Sequence, residues 1–379
     1  MYFILELISI LILLCYGTLL IALVIGFDSV SIFEEKSQPP TTKFSIIIPF
    51  RNEKDNLNNL LKSLVLLNYH KNYFEILMVN DQSTDNSVEL IQLFKTQHPN
   101  LPIVILENNR KTISPKKDAI KTAIDKAQFE WIISTDADCT VPKNWLNTFN
   151  TFILINKPKL IAAPVTYKVS NSFLDQFQLF DFLSLQASTI GGFGLKKPFL
   201  CNGANLCYEK SVFNEINGFK DNDKIASGDD IFLLEKIHKK YPKKVHFLKS
   251  KEALVYTKPE PSITSLISQR VRWASKTTSV NNSFTKLVGV IVMAMNFLWA
   301  AAIVLLVLNL ISWHYLFTII TAKFILDFIL LQRIFHFYKH RLHFHRFLLN
   351  SCCYPFFSMF VIFLSLKKGY RWKNRSFKK

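Results

Sequence analysis

Asp136 and Asp138 stand one residue apart at the end of the apolar run Trp131 to Ser134. On an extended strand, residues i and i+2 share a face, so the two carboxylates converge at the strand's C-terminal edge. Hard oxygen ligands of this kind suit Mg²⁺ or Mn²⁺, which keep positions open for the phosphate oxygens of a ligand. An Asp-X-Asp triplet also arises by chance as a solvated turn, so its meaning depends on its company. That company is a series of clusters: Pro49-Phe50-Arg51-Asn52-Glu53, Asn80-Asp81-Gln82-Ser83-Thr84-Asp85, Lys116-Lys117-Asp118-Ala119, Asn202-Gly203-Ala204-Asn205, Gly228-Asp229-Asp230 and Gln269-Arg270-Val271-Arg272-Trp273. Each has a local reading too. Asp81, Asp85, Asp229 and Asp230 can cap helices, Lys117 can be a surface lysine, and Gly203 can serve a turn.

Elements that position these clusters are readable from residue 41 onward. Short β-rich runs at Phe44 to Ile48, Phe74 to Val79, Ile103 to Leu106 and Trp131 to Ser134 alternate with helical stretches at Asp55 to Leu67, Asp85 to Thr96 and Pro115 to Ala127. Alternation of this kind predicts an α/β domain with a mostly parallel, Rossmann-like sheet. In such sheets ligands bind beyond the carboxyl ends of the strands, where the first clusters and Asp136-Ala137-Asp138 fall. Gln38-Pro39-Pro40 marks a break ahead of the domain.

Taken in order, the clusters resemble the inverting family 2 glycosyltransferases of the GT-A fold, over about residues 44 to 273. The resemblance implies that Glu53, Asp81, Lys117, Asp136 and Arg272 face a nucleotide-sugar. Asp81 would read the base, since a carboxylate accepts the imide N–H of uracil; Asp85 is left as a helix cap. Asn80 departs from the commoner acid at its place. Asp136 and Asp138 would hold Mg²⁺ or Mn²⁺ against the diphosphate. Asn202, Gly203, Asp229, Gln269 and Trp273 fall on the acceptor side, with Trp273 available to stack on a sugar. Asp230, the second acid of its pair, is the implied general base that takes the proton of an acceptor hydroxyl. The Gln-X-X-Arg-Trp segment also fits an interfacial helix beside a membrane.

Composition agrees with a membrane setting. The chain has 379 residues, 49% of them hydrophobic, with 34 Phe and a net charge of +18. Leu7 to Phe27 is uncharged and long enough to cross a hydrocarbon core of about 30 Å, and it lacks the basic flank and small-residue site of a cleaved leader. Leu287 to Leu331 has room for two further helices and Phe347 to Leu366 for one. The expected plan is an anchor at 1–28, a GT-A domain at 41–275, a membrane region at 285–366 and a basic tail at 367–379. Basic clusters at Arg333 to Arg346 and in the tail adjoin apolar segments, which favours a cytosolic membrane surface over nucleic acid as their partner. A third full crossing would put the tail on the wrong side, so Phe347 to Leu366 is expected to dip in and return around Tyr354-Pro355. Phe173 to Leu185 reads either as an interfacial guide for a lipid or as a buried helix. Lys323 and Asp327, four apart in an apolar helix, either pair or line an acceptor path. His336, His340, His343 and His345 read as membrane-surface contacts ahead of a metal site. Six cysteines match no zinc spacing and are expected to be reduced thiols.

These readings lead to a multi-pass enzyme of the cell membrane with a cytosolic catalytic domain. It is expected to move sugar from a nucleotide-sugar, a UDP-sugar in the first instance, to a lipid or lipid-linked glycan of the envelope. A processive polysaccharide synthase and a catalytically silent nucleotide-sugar-binding scaffold are the alternatives. Oligomeric state and any export partner stay open.

Overall fold

The computed structural model describes residues 2–34, 38–222, 225, 227–277, 280–367, 370–372 and 375–377, so Met1 of the expected anchor and positions 368–369, 373–374 and 378–379 of the expected tail lie outside the described residues. A long apolar helix, α1 (Tyr2–Ser29), precedes the sheet. β1 (Phe44–Phe50) and β2 (Phe74–Asn80) are nearly continuous apolar runs, buried except for the half-buried Pro49, as strands are when helices cover both faces of a sheet. With β3 (Ile103–Glu107) and β4 (Trp131–Ser134) they form the parallel half of a seven-stranded sheet, linked by α2 (Lys54–Val65), α3 (Ser87–Gln97) and α4 (Pro115–Lys126). The chain continues through α5 (Trp145–Asn156), β5 (Leu160–Ala162), β6 (Val165–Tyr167), α6 (Phe173–Gly194), β7 (Leu206–Glu209), α7 (Lys210–Glu215), α8 (Asp229–Lys240), β8 (Val245–Phe247), β9 (Val255–Thr257) and α9 (Ile263–Thr277). The strand order is β3-β2-β1-β4-β7-β5-β8, while β6 and β9 pair separately. β7 runs antiparallel to β4, with Ser134 opposite Leu206, so the start of β7 lies beside the end of β4. One edge of the sheet thus collects the turns after β1, β2 and β4 and the segment before β7.

α10 (Ser283–Val307), α11 (Trp313–Phe337) and α12 (Phe344–Lys367) follow, then the hairpin of β10 (Tyr370–Trp372) and β11 (Arg375–Phe377). Among the described residues four helices, α1, α10, α11 and most of α12, are long and apolar enough to cross a membrane. Phe173 to Leu185 belongs to α6, most of which is buried against α1, α11, α12 and β6, between the sheet and the membrane helices. α1 and α6 touch backbone to backbone. A Cβ built on Gly194 would come within 1.8 Å of the Gly26 carbonyl oxygen, and one on Gly191 within 2.5 Å of the Leu23 carbonyl oxygen. Small residues are what permit such an approach. Gly194→Ala is therefore expected to lower stability by about 1–3 kcal/mol or more, read as a lower Tm of the detergent-solubilised protein. Gly289→Ala is the control, because a Cβ there meets nothing within 4 Å.

Polar groups fix the same junction. Lys249 is buried, and its Nζ donates to the carbonyls of Phe27 (2.7 Å) and Val30 (2.9 Å) at the end of α1; burial pushes its pKa down to about 8. Lys323 and Asp327 pair with each other, and Tyr16 of α1 donates to the same carboxylate.

α12 corrects an expectation. The chain does not turn back at Tyr354-Pro355; it runs as one helix through Pro355. A proline inside a helix costs about 3 kcal/mol and removes a main-chain bond. Packing offsets this: Trp299 and Phe356 meet edge to face at 5.4 Å, Phe177 and Phe357 at 5.0 Å, and Asn296 Nδ2 donates to Ser358 Oγ at 3.1 Å. Both flanks of α12 return to the α/β domain. His340, just before it, meets Thr166 at 3.1 Å, and Arg375, just after it, meets Asp81.

Candidate active site

The turns after β1 and β2 are stitched together. Asn52, at φ 52°, accepts from the Thr84 amide at 2.8 Å, and the Glu53 amide donates to Ser87 Oγ at 2.9 Å. Glu53 is buried at the start of α2, its carboxylate accepting from Asn56 Nδ2 at 2.7 Å. Asp85 accepts from the amides of Ser87 and Lys54, at 3.1 and 3.2 Å, and so ties the first turns of α3 and α2. Burial opposes its charge, but these bonds outweigh burial and hold its carboxyl below the usual range.

Asp81 follows β2 and is buried, its Oδ1 accepting from Asn108 Nδ2 at 2.8 Å. Asn80 donates to both oxygens of Glu107, at 3.1 and 3.0 Å, and accepts from the Ser83 amide at 2.9 Å. An acid at position 80 would face the Glu107 carboxylate at that distance, which accounts for the amide.

At the ends of β4 and β7, Ser134 Oγ donates to the Gly203 carbonyl at 2.8 Å. The Gly203 amide in turn donates to Asp230 Oδ2 at 3.3 Å, and the Ile231 amide to Asp230 Oδ1 at 2.8 Å. A Cβ on Gly203 would sit 3.1 Å from Asp229 Oδ2 and 3.6 Å from Lys116 Nζ, so glycine keeps this approach open. Asn202 accepts from the Ala204 amide at 3.0 Å, shaping the turn. Lys116 Nζ bridges Asp136 Oδ1 (2.7 Å) and Asp229 Oδ2 (3.5 Å). Burial lowers its pKa, yet Asp136 and Asp229 more than reverse this, and the amine stays protonated.

Lys117 is a correction. It lies outside the cleft, its Nζ donating to the carbonyls of Asn222 (2.6 Å) and Ile225 (2.8 Å) in the loop before α8. Successive residues of a helix point about 100° apart. Lys116 takes the cleft side of α4, and Lys117 secures the loop that delivers Asp229 and Asp230.

α9 carries Gln269, Arg272 and Trp273 into the wall of the cleft. Gln269 Nε2 donates to Glu260 at 2.7 Å. Arg270, an unassigned position of the motif, is buried, forms an ion pair with Asp181 of α6 at 2.5 Å, and lies 4.2 Å from the Trp273 ring centroid. One face of Trp273 is therefore covered by a guanidinium.

The other candidates converge. Glu53, Asp81, Asp136, Asp138, Asn202, Gly203, Asp229, Asp230, Gln269, Arg272 and Trp273 line one cleft of about 1440 Å³. Among the described residues no group of three or more His, Cys, Asp or Glu is arranged to hold a metal ion, the histidines after α11 included. Asp136 and Asp138 still suit Mg²⁺ or Mn²⁺ with ligand oxygens completing the shell, and the ammonium already drawn onto Asp136 marks the anionic field there.

A Rossmann-like sheet with an Asp-X-Asp turn at its switch point, flanked by apolar helices, defines a membrane glycosyltransferase of the GT-A class. The chain belongs to glycosyl transferase family 21, whose profile matches residues 5–378. The motif resemblance to family 2 pointed to the same class of enzyme. Poly-beta-1,6-N-acetyl-D-glucosamine synthase of Staphylococcus epidermidis is 27% identical over 237 residues, 61% of this chain and 53% of that one. Glycosyltransferase AglE of Haloferax volcanii is 24% identical over 189 residues, 49% of this chain and 58% of that one. The chain thus spans about half the length of the curated relatives it matches. Among solved structures, mannosyltransferase PcManGT from Pyrobaculum calidifontis, in complex with GDP-Man and Mn²⁺, shares the fold at a TM-score of 0.60 and 16% identity, over 93% of this chain and 99% of that one.

Proposed function

We propose that the protein transfers a sugar, with inversion, from a nucleotide-sugar to a hydroxyl of a lipid or lipid-linked glycan at the membrane surface. The observation that carries this reading is the continuity of the cleft. It runs from Asp81, Asp136 and Asp138 past Asp230 to an apolar stretch between α10 and α12, lined by Val290, Met293, Val361 and Ile362. A polar donor and an amphiphilic acceptor fit opposite ends of such a space. Asp81 favours a UDP-sugar, since its carboxylate accepts the imide N–H of uracil. Mg²⁺ or Mn²⁺ on Asp136 and Asp138, when bound, neutralises charge on the departing diphosphate. Lys116 and Arg272 add fixed positive charge for the same diphosphate. Asp230, oriented by the Gly203 and Ile231 amides, takes the acceptor's proton as the new bond forms opposite the leaving group. The work is envelope glycan or glycolipid synthesis, with the catalytic domain on the cytosolic face.

A processive polysaccharide synthase is the second reading, favoured by the name of the staphylococcal relative. Against it, the described residues hold only four helices long and apolar enough to cross a membrane, few for a self-contained export path. Nucleoside-diphosphate release from a panel of sugar nucleotides, in membranes carrying the protein, tests the proposal. Release with one donor that requires Mg²⁺ or Mn²⁺ and falls to background in Asp138→Asn is the expected result. No release with any donor once lipid extract is supplied would overturn it in favour of a silent nucleotide-sugar binder.

A further inference from the structure

Asp81 is engaged from two sides. Its Oδ1 accepts from Asn108 and faces Arg110 Nε at 3.8 Å. Its Oδ2 is held by Arg375, which arrives from β11, 294 positions away in the chain. The same guanidinium reaches Gln82 Oε1 at 3.1 Å and the Asp81 carbonyl at 3.5 Å, so it lies across the turn after β2. The Arg375 and Asp81 side chains are only 17% and 7% exposed, so solvent screens their attraction little. β10, the other strand of the hairpin, rests on α9, the helix of Arg272 and Trp273.

We propose that the C-terminal hairpin is a latch on the donor pocket, in which Arg375 occupies the base-reading carboxylate until the nucleotide's base displaces it. This rests on the assignment of Asp81 to the base. With Oδ1 serving Asn108 and Arg110, Oδ2 is the oxygen left for a base N–H, and it is the one Arg375 holds. Guanidinium and base therefore compete for one acceptor. Release of the guanidinium frees the hairpin from the donor side while β10 still touches α9, so donor entry is transmitted to the helix on the acceptor side.

The test is UDP binding to the full-length protein in detergent with Mn²⁺, by titration calorimetry. Arg375→Ala is expected to tighten UDP binding by about fivefold or more, the scale of one charge-assisted hydrogen bond that no longer has to be broken. A chain ending after Lys367 should show the same gain. Pyrophosphate, which has no base, should bind the wild type and Arg375→Ala equally. Unchanged or weaker UDP binding in Arg375→Ala overturns the latch. Asp81→Ala separates the two assignments. If it leaves UDP binding unchanged, the base contact itself is wrong and the latch falls with it; if it weakens UDP binding while Arg375→Ala does nothing, the latch alone is wrong.

Discussion

Asp230→Asn is expected to cut turnover by about 10²–10⁴-fold while nucleotide affinity stays within a few-fold, because a positioned general base contributes on that scale and does not hold the donor. The substitution preserves shape. Asparagine keeps one acceptor oxygen, which can serve the nearer Ile231 amide at 2.8 Å while only the longer 3.3 Å bond from the Gly203 amide is given up, so the start of α8 keeps its form. What is lost is a basic oxygen for the acceptor's proton. Nucleoside-diphosphate release at saturating donor, set beside the Tm of the same preparation, checks this: a fall in turnover without a fall in Tm is the predicted signature. Asp229→Asn should differ in kind, since Asp229 is a partner of Lys116 at 3.5 Å. Its loss should raise the acceptor's KM more than it slows turnover at saturating acceptor, since Asp229 lies on the acceptor side and is no proton acceptor in this scheme. If Asp230→Asn retains full turnover, the base lies elsewhere in the cleft.

Arg270→Met is expected to destabilise the protein by about 3–5 kcal/mol, because it leaves the Asp181 carboxylate buried without its counter-charge. Both side chains are 6% exposed, so water does little to compensate. The double variant Arg270→Met with Asp181→Leu should recover most of the loss, since an apolar pair of similar volume has no charge to strand. Thermal unfolding of all four proteins in one detergent gives the coupling directly. Additive losses would mean that the ion pair is not the link between α6 and α9. Because Arg270 lies over Trp273, the single variant should also disturb the acceptor-side wall.

What could be read in advance follows the range of the interactions. β1, β2 and β4 announce themselves as mostly apolar runs, interrupted in β1 and β2 only by Ser45 and Glu75, and the chemistry sits at their carboxyl ends because parallel sheets place it there. Two adjacent lysines defeat a reading by spacing: Lys116 and Lys117 differ only in the direction each leaves α4. Arg270 occupied a variable place in a motif, and its meaning depends on Asp181, 89 positions earlier. Arg375 depends on Asp81 in the same way, across a still longer separation. β5, β6, β8 and β9 are three residues each, too short for any periodicity to register. Pro355 is a true local signal for a break, overruled by aromatic packing against α6 and α10 that no window around residue 355 contains.

The backbone contact of α1 with α6 sets a schedule for biogenesis. α1 is made before α6, so Gly26 stands uncovered until α6 follows. The Gly191 and Gly194 surface that covers it follows only after the parallel sheet has been made, a delay on the order of ten seconds or more at translation rates of about 5–20 residues per second. Lys249, which closes the end of α1, comes later still, and Asp327, the partner of Tyr16, nearly last. The nascent chain therefore passes through a stage with the four parallel strands made and the junction of α1 with α6 still unsealed. A factor that shields single helices in the bilayer would matter most during that interval.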